Sequence, residues 1–138
     1  MLQCSDGHWA GDYGGPLFLM PGLITALYIT KAPLKDWQKN GMIHYLLNHQ
    51  QIDGGWGTHI ECASTMFGTI LNYITLRLLG VEKGEENMLA ARAFILEHGG
   101  ALYAPSWAKF WLVCACICSI YSICTYHYVI VCAYTYTA

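Results

Sequence analysis

Few side chains in this sequence could do chemistry, and their spacing decides which kinds. His44, His49, His59 and His98 are metal ligands by type, but their separations match no zinc pattern. His49 and His98 stand where helices should end, a place that favours a cation without any metal. Asp12 and Glu61 are the carboxylates to weigh as an acid–base pair. Both follow a glycine–tryptophan turn by three to five residues, so capping of a repeat end is the better reading. Gly54-Gly55-x-Gly57 is no phosphate loop, because no strand precedes it and no Lys-Ser/Thr follows. Cys4 and Cys62 are the only cysteines before residue 113 and form no CxxC pair, which predicts a reduced, intracellular body. No metal site is expected.

A different pattern is specific. Gln50 precedes Asp53-Gly54-Gly55-Trp56, a tight turn in which glycine takes positive φ without a Cβ penalty. The Gln50 amide can serve orphan backbone groups at a helix end, and Trp56 can fold back to shield it. The same pattern stands at Gln3, Gly7 and Trp9, and both Gln3–Gln50 and Trp9–Trp56 are 47 residues apart. A second copy at fixed spacing marks a repeat.

The elements that must position these turns read as helices. A mostly apolar segment, 17–30, predicts a buried core helix over 21–30 with Pro21 in its first turn and Lys31-Ala32-Pro33 ending it. A second helix is expected from Asp36 to His49, with Trp37, Ile43, Tyr45, Leu46 and Leu47 on its apolar face. Ser64 is the expected N-cap of a helix to about Leu79, stopped by Gly80. Its apolar positions are Met66, Phe67, Ile70, Leu71, Ile74 and Leu78. After a charged loop, Asn87 is the expected cap of a helix through Glu97, with Leu89, Ala93, Phe94 and Leu96 inward and His98-Gly99-Gly100 closing it. Ala104-Pro105-Ser106 opens a further helical segment carrying Trp107, Phe110, Trp111 and Leu112. Nothing before residue 113 alternates as a strand, so the fold class is all-α. Helix–turn–helix units of about 47 residues predict an α/α toroid, or barrel, of which this chain holds part.

Composition narrows the partners. With 55% hydrophobic and only 12% charged residues, the chain is greasy for a free-standing domain of this size. A net charge of −2 and no basic cluster argue against nucleic acid. The chain opens at Gln3 with no helix upstream, which predicts a truncated N-terminus.

Gln-x3-Gly-x-Trp resembles the QW motif of the triterpene cyclases. The stretches Asp6-Gly7-His8-Trp9-Ala10-Gly11-Asp12-Tyr13-Gly14-Gly15-Pro16 and Ser64-Thr65-Met66-Phe67-Gly68-Thr69 resemble the eukaryotic oxidosqualene cyclases in particular. The likeness runs from about residue 3 to Leu112. It implies part of a lanosterol- or cycloartenol-synthase-like isomerase acting on 2,3-oxidosqualene without a cofactor, by protonation and cation–olefin cyclisation. It implies a monotopic hold on the membrane, at the cytoplasmic face of the endoplasmic reticulum or on lipid droplets. The family's acid lies in an Asp-Cys-Thr-Ala-Glu motif that this sequence lacks, so no catalytic residue is assigned here and the chain alone is expected to be inactive. Cations need electron-rich walls, which aromatic faces supply at about 0.5–2 kcal/mol per ring. The resemblance gives that role to Tyr13, pressing near the B-ring, and to Trp107, beside Ala108 where the family usually has Gly. Rival readings are a bacterial-type squalene–hopene cyclase, a prenyltransferase toroid whose zinc ligands cannot be placed, and a truncated product without catalysis.

Residues 113–138 are another kind of sequence, with no charged residue and no Gly, Pro or Leu. All but Ser119 and Ser122 belong to seven residue types encodable by alternating purine–pyrimidine codons, as in a translated TG/CA repeat. The boundary is therefore set at 1–112 for the partial cyclase domain and 113–138 for a low-complexity tail read through from an intron. The competing reading is a hydrophobic anchor, since 110–138 is long enough to span a bilayer.

Overall fold

A computed structural model describes residues 14–120 together with Ser5 and Gly7, with backbone only for 114–120. Five α-helices follow in order: α1 (Leu19–Thr30), α2 (Asp36–Asn48), α3 (Met66–Leu78), α4 (Glu86–Glu97) and α5 (Ser106–Ile120), with a 3-10 turn at Ala101–Tyr103 before α5. Among the described residues there is no strand, only one isolated antiparallel bridge between Pro16 and His59. The chain is all-α.

The helix ends follow from local chemistry. Gly80 and Gly99 take φ of 91° and 92°. Behind them the amides of Val81 and Gly100 reach back to Leu76 and Ile95 at 3.0 and 2.8 Å, closing α3 and α4. Lys31 closes α1 in the same way with φ 54°, the one non-glycine residue of positive φ among those described. Lys35 precedes α2, where its amide donates to Gln38 Oε1 at 3.2 Å.

Two caps differ from expectation. Thr65, not Ser64, is the N-cap of α3, its Oγ1 accepting from the Gly68 amide at 3.0 Å. Ser64 instead donates to the Asp53 carboxylate at 2.8 Å. Likewise α4 starts at Glu86 after Glu85, so Asn87 lies inside its first turn and its amide is engaged by Gln50. In both cases a long-range partner in the glycine turn outcompetes the local cap.

Helix α3 is the hub on which α1, α2, α4 and α5 all pack. One core cluster joins Leu17, Leu46, Trp56, Leu76, Val81, Met88 and Ala91. The other, on the far side of α3, joins Ile70, Leu71, Ala101, Ala104, Ala108 and Leu112. Being lined from two sides, α3 buries polar Thr69, Asn72 and Thr75 as well. Thr75 Oγ1 and Asn72 Nδ2 donate to carbonyls one turn back, so the stripe costs less than its polarity suggests.

Several faces expected to be inward are not. Trp37 on α2, and Leu89, Ala93 and Leu96 on α4, are exposed; Phe94 is buried as expected, together with Met88 and Ala91 of α4. Helix α1 starts two residues early and is not a core helix throughout: Ile24 and Thr25 are buried, while Leu19, Leu23 and Ile29 face outward. Apolar residues on all sides of α1 hid which side was covered.

Candidate functional site

The described QW turn is a knot of backbone and side-chain bonds between the end of α2 and the start of α4. Gln50 Nε2 donates to the carbonyls of Gly54 and Asn87, both at 2.8 Å, while its Oε1 accepts from Asn87 Nδ2 at 2.7 Å. The Gln51 amide donates to Gly55 O and the Gly54 amide to Gln51 O, both at 2.9 Å. Asp53 Oδ1 accepts from the Gly55 amide at 2.9 Å and from Ser64. Gly54 has φ 83°, and a Cβ there would sit 2.5 Å from the Ala90 carbonyl oxygen of α4. Glycine is thus required twice over, by conformation and by contact.

Trp56 is fully buried. Its Nε1–H donates to the Leu46 carbonyl at 2.8 Å, and its amide donates to Thr69 Oγ1 at 3.0 Å. Trp56 therefore ties the last turn of α2 to α3, through its indole on one side and its backbone amide on the other, and the Gln50 amide ties the turn to α4. Gly7, which corresponds to Gly54 in the first repeat, has φ 90°. Gln3, Trp9 and Tyr13 lie outside the described residues.

Beyond the turn, residues 58–60 pair with the segment that follows Tyr13. The Leu17 amide donates to Thr58 O and the Ile60 amide to Gly15 O, both at 2.9 Å, on either side of the Pro16–His59 bridge. Leu17 is buried in the same cluster as Trp56. Nothing in the spacing of these residues pointed to this pairing, because a two-bond ladder leaves no alternation to read.

Trp107 stands apart from the turn, in the first turn of α5, and is 72% exposed. Beside it the Ala108 methyl is fully buried between α5 and α3. Trp111 packs over Gly22 of α1. An apolar groove of about 550 Å³ lies between the end of α1, the 31–34 link and the end of α3, with Lys31 and Lys39 on its rim. It contains neither Trp107 nor any residue of the QW turn. Among the described residues no three His, Cys, Asp or Glu side chains converge to hold a metal ion.

A family model described as the squalene-hopene cyclase N-terminal domain matches residues 1–123. The chain belongs to this family. Over 112 residues it is 53% identical to cycloartenol synthase of Dictyostelium discoideum, covering 80% of this chain and 16% of that protein. Human lanosterol synthase is 48% identical over 121 residues, 88% of this chain and 16% of that protein. Alpha-onocerin synthase of Lycopodium clavatum is 47% identical over 118 residues, covering 80% of this chain and 15% of that protein. The oxidosqualene-cyclase membership expected from the motifs holds, and the chain spans about one sixth of the length of these relatives. The QW turn described above is this squalene-hopene-cyclase-type domain's own clamp between helices.

Proposed function

We propose that this chain forms part of an enzyme that cyclises 2,3-oxidosqualene to a polycyclic sterol or triterpene precursor. What carries the reading is the family match over residues 1–123 with about half of the residues identical to named synthases. Within that enzyme the chain supplies scaffold and wall. The QW turn fixes three helices against one another as one unit of an α/α toroid. Tyr13 and Trp107 offer aromatic faces to the cationic substrate. The 72% exposure of Trp107 in this chain accords with a ring that meets something outside it. The proton that opens the epoxide comes from an acid elsewhere, since no Asp-Cys-Thr-Ala-Glu motif occurs in this sequence. The chain alone then turns over no oxidosqualene, and no cofactor enters the chemistry.

A greasy substrate suits an enzyme held at the cytoplasmic face of the endoplasmic reticulum or on lipid droplets. The exposed apolar side chains of α1 and α5 accord with such a setting, or with packing on the rest of the enzyme. Among the described residues no helix is long and apolar enough to cross a membrane.

The test is a chimera in which residues 1–112 replace the matching segment of the Dictyostelium cycloartenol synthase. It is expected to convert 2,3-oxidosqualene to the parental product and to leave squalene unchanged. A folded chimera that cyclises neither substrate, or squalene alone, would refute the reading.

A further inference from the structure

The groove at the ends of α1 and α3 takes no part in the QW turn and does not contain Trp107. Local chemistry opens it. Lys31 ends α1 in the left-handed region, with φ 54°, and the Ala32 amide bonds back to the Leu27 carbonyl at 3.0 Å. The chain then leaves through 32–34 for α2, and a hollow remains beside Leu78 and Leu79 of α3. Ile24, Leu27, Ile29 and Leu34 complete its apolar lining. The charged residues that line it are both lysines, Lys31 and Lys39, and no carboxylate joins them. Each lysine stands at a helix C-terminus, where a cation is favoured in any case. Lys31 caps α1, and Lys39 Nζ comes within 3.3 Å of where a Gly80 Cβ would be, beside the end of α3. Backbone amides already serve the carbonyls at these ends, however. Leu27 and Tyr28 accept from Ala32 and Lys31, and Thr75, Leu76 and Arg77 accept from Leu79, Val81 and Gly80. Among the described residues neither ammonium group bonds to a carboxylate or a carbonyl. Two cations without a counter-ion therefore border an apolar hollow of about 550 Å³, within the ~300–1,000 Å³ of pockets that hold one small ligand.

We propose that this groove binds a single-chain anionic amphiphile, a long-chain carboxylate, with its alkyl chain on the leucine and isoleucine lining and its head group at Lys31 and Lys39. Burial of the chain supplies most of the affinity, and the two ammonium groups select for charge. A neutral chain of the same length would leave both cations beside apolar surface without a counter-ion. Inorganic phosphate would meet the lysines and leave the lining bare. A two-chain phospholipid would keep one chain outside a hollow of this size. The site does not depend on the cyclisation reading, because none of its residues belongs to the QW turn or to the aromatic wall assigned above.

The experiment titrates the full 138-residue chain with monomeric palmitate by calorimetry, with circular dichroism to confirm that each variant stays helical. Palmitate should bind saturably, more tightly than methyl palmitate, and added salt should weaken the first and not the second. Butyrate and inorganic phosphate should not bind. Lys31→Gln and Lys39→Gln should each weaken palmitate about two- to fivefold, as loss of a solvent-exposed ion pair does, and both together on the order of tenfold. Lys109→Gln removes the same charge from α5 and should change nothing. Ala32→Trp, which fills the groove and keeps both lysines, should abolish the saturable binding; if it does not fold, Ile29→Gln takes its place and should weaken binding. A palmitate carrying a diazirine at its chain end should label residues 24–34 and 78–79. If the free chain does not stay in solution, the chimera, which holds the whole groove, takes its place with the same expectations. Labelling confined to α5, equal affinity for palmitate and methyl palmitate, or a loss with Lys109→Gln as large as with Lys39→Gln overturns the proposal. So does binding to acidic phospholipid vesicles in preference to monomeric palmitate, which would assign the two lysines to a membrane surface instead.

Discussion

Gln50 and Trp56 divide one task between them. The carboxamide uses both of its ends on α4 and the turn, and the indole reaches back to α2 from a site without solvent. Gln50→Ala leaves the Asn87 amide and two carbonyls short of a partner, and should cost about 1–3 kcal/mol. Trp56→Ala empties a fully buried site and should cost about 3–5 kcal/mol. Thermal unfolding of the chimera should rank them in that order, with product identity unchanged in whatever folds. A reversed order would mean that the amide, not the ring, carries the clamp. Tyr13 should behave oppositely. If it presses on the substrate, filled volume matters more than the hydroxyl, so Tyr13→Phe should keep the parental product at near-normal rate. Tyr13→Ala should yield early-terminated or differently folded products. Parental product alone from Tyr13→Ala would make it a packing residue.

At the scale of the elements, the sequence announced what local chemistry controls. Gly80 and Gly99 stop α3 and α4 where glycines with positive φ should, and Lys31 ends α1. It concealed what distant partners control. Ser64 looks like a cap, yet it serves Asp53 eleven residues away, and Thr65 takes the cap. Asn87 likewise answers to Gln50, 37 residues away. Facing errors in α1 and α4 share a cause, because leucines on several sides of a helix do not say which side a neighbour will cover. The two hydroxyls of the α3 entry can be told apart by coupling. Thr65→Ala should cost about 1 kcal/mol whatever occupies position 53. Ser64→Ala should cost a similar amount only while Asp53 is present, and a double-mutant cycle in the chimera measures the difference. Equal coupling to Asp53 would return the cap to Ser64.

At the scale of the whole molecule, one flank of the described residues is open. Leu19 and Leu23 of α1 and Trp107, Phe110 and Val113 of α5 are half-exposed or more, on helices that pack against each other. The chain spans about one sixth of the length of its relatives, and an exposed apolar flank of this kind is suited to contact with another surface. Purified alone, the chain should bind a hydrophobic dye strongly and release no sterol from oxidosqualene. Measurable product would show that the acid is in this chain after all. The boundary proposed at residues 112 and 113 is not visible as a break in the fold. Helix α5 crosses it to Ile120, and the family match runs to residue 123. Backbone conformation does not record whether a codon came from an exon, so sequencing the transcript across the Leu112 codon decides the origin of the tail.

The hub position of α3 has a kinetic corollary. A helix covered on two sides can expose its amides only when both core clusters part, and that is close to opening the domain entirely. Deuterium uptake in the chimera should therefore be slowest across residues 69–76. It should be faster on α4, which buries Met88 and Ala91 in one cluster and meets the other through the partly buried Ile95, and fastest in the 31–35 link. Peptide-level mass spectrometry would resolve the three. Uptake in 69–76 as fast as that in α4 would mean that the two clusters open separately, and that this part of the domain breathes in halves.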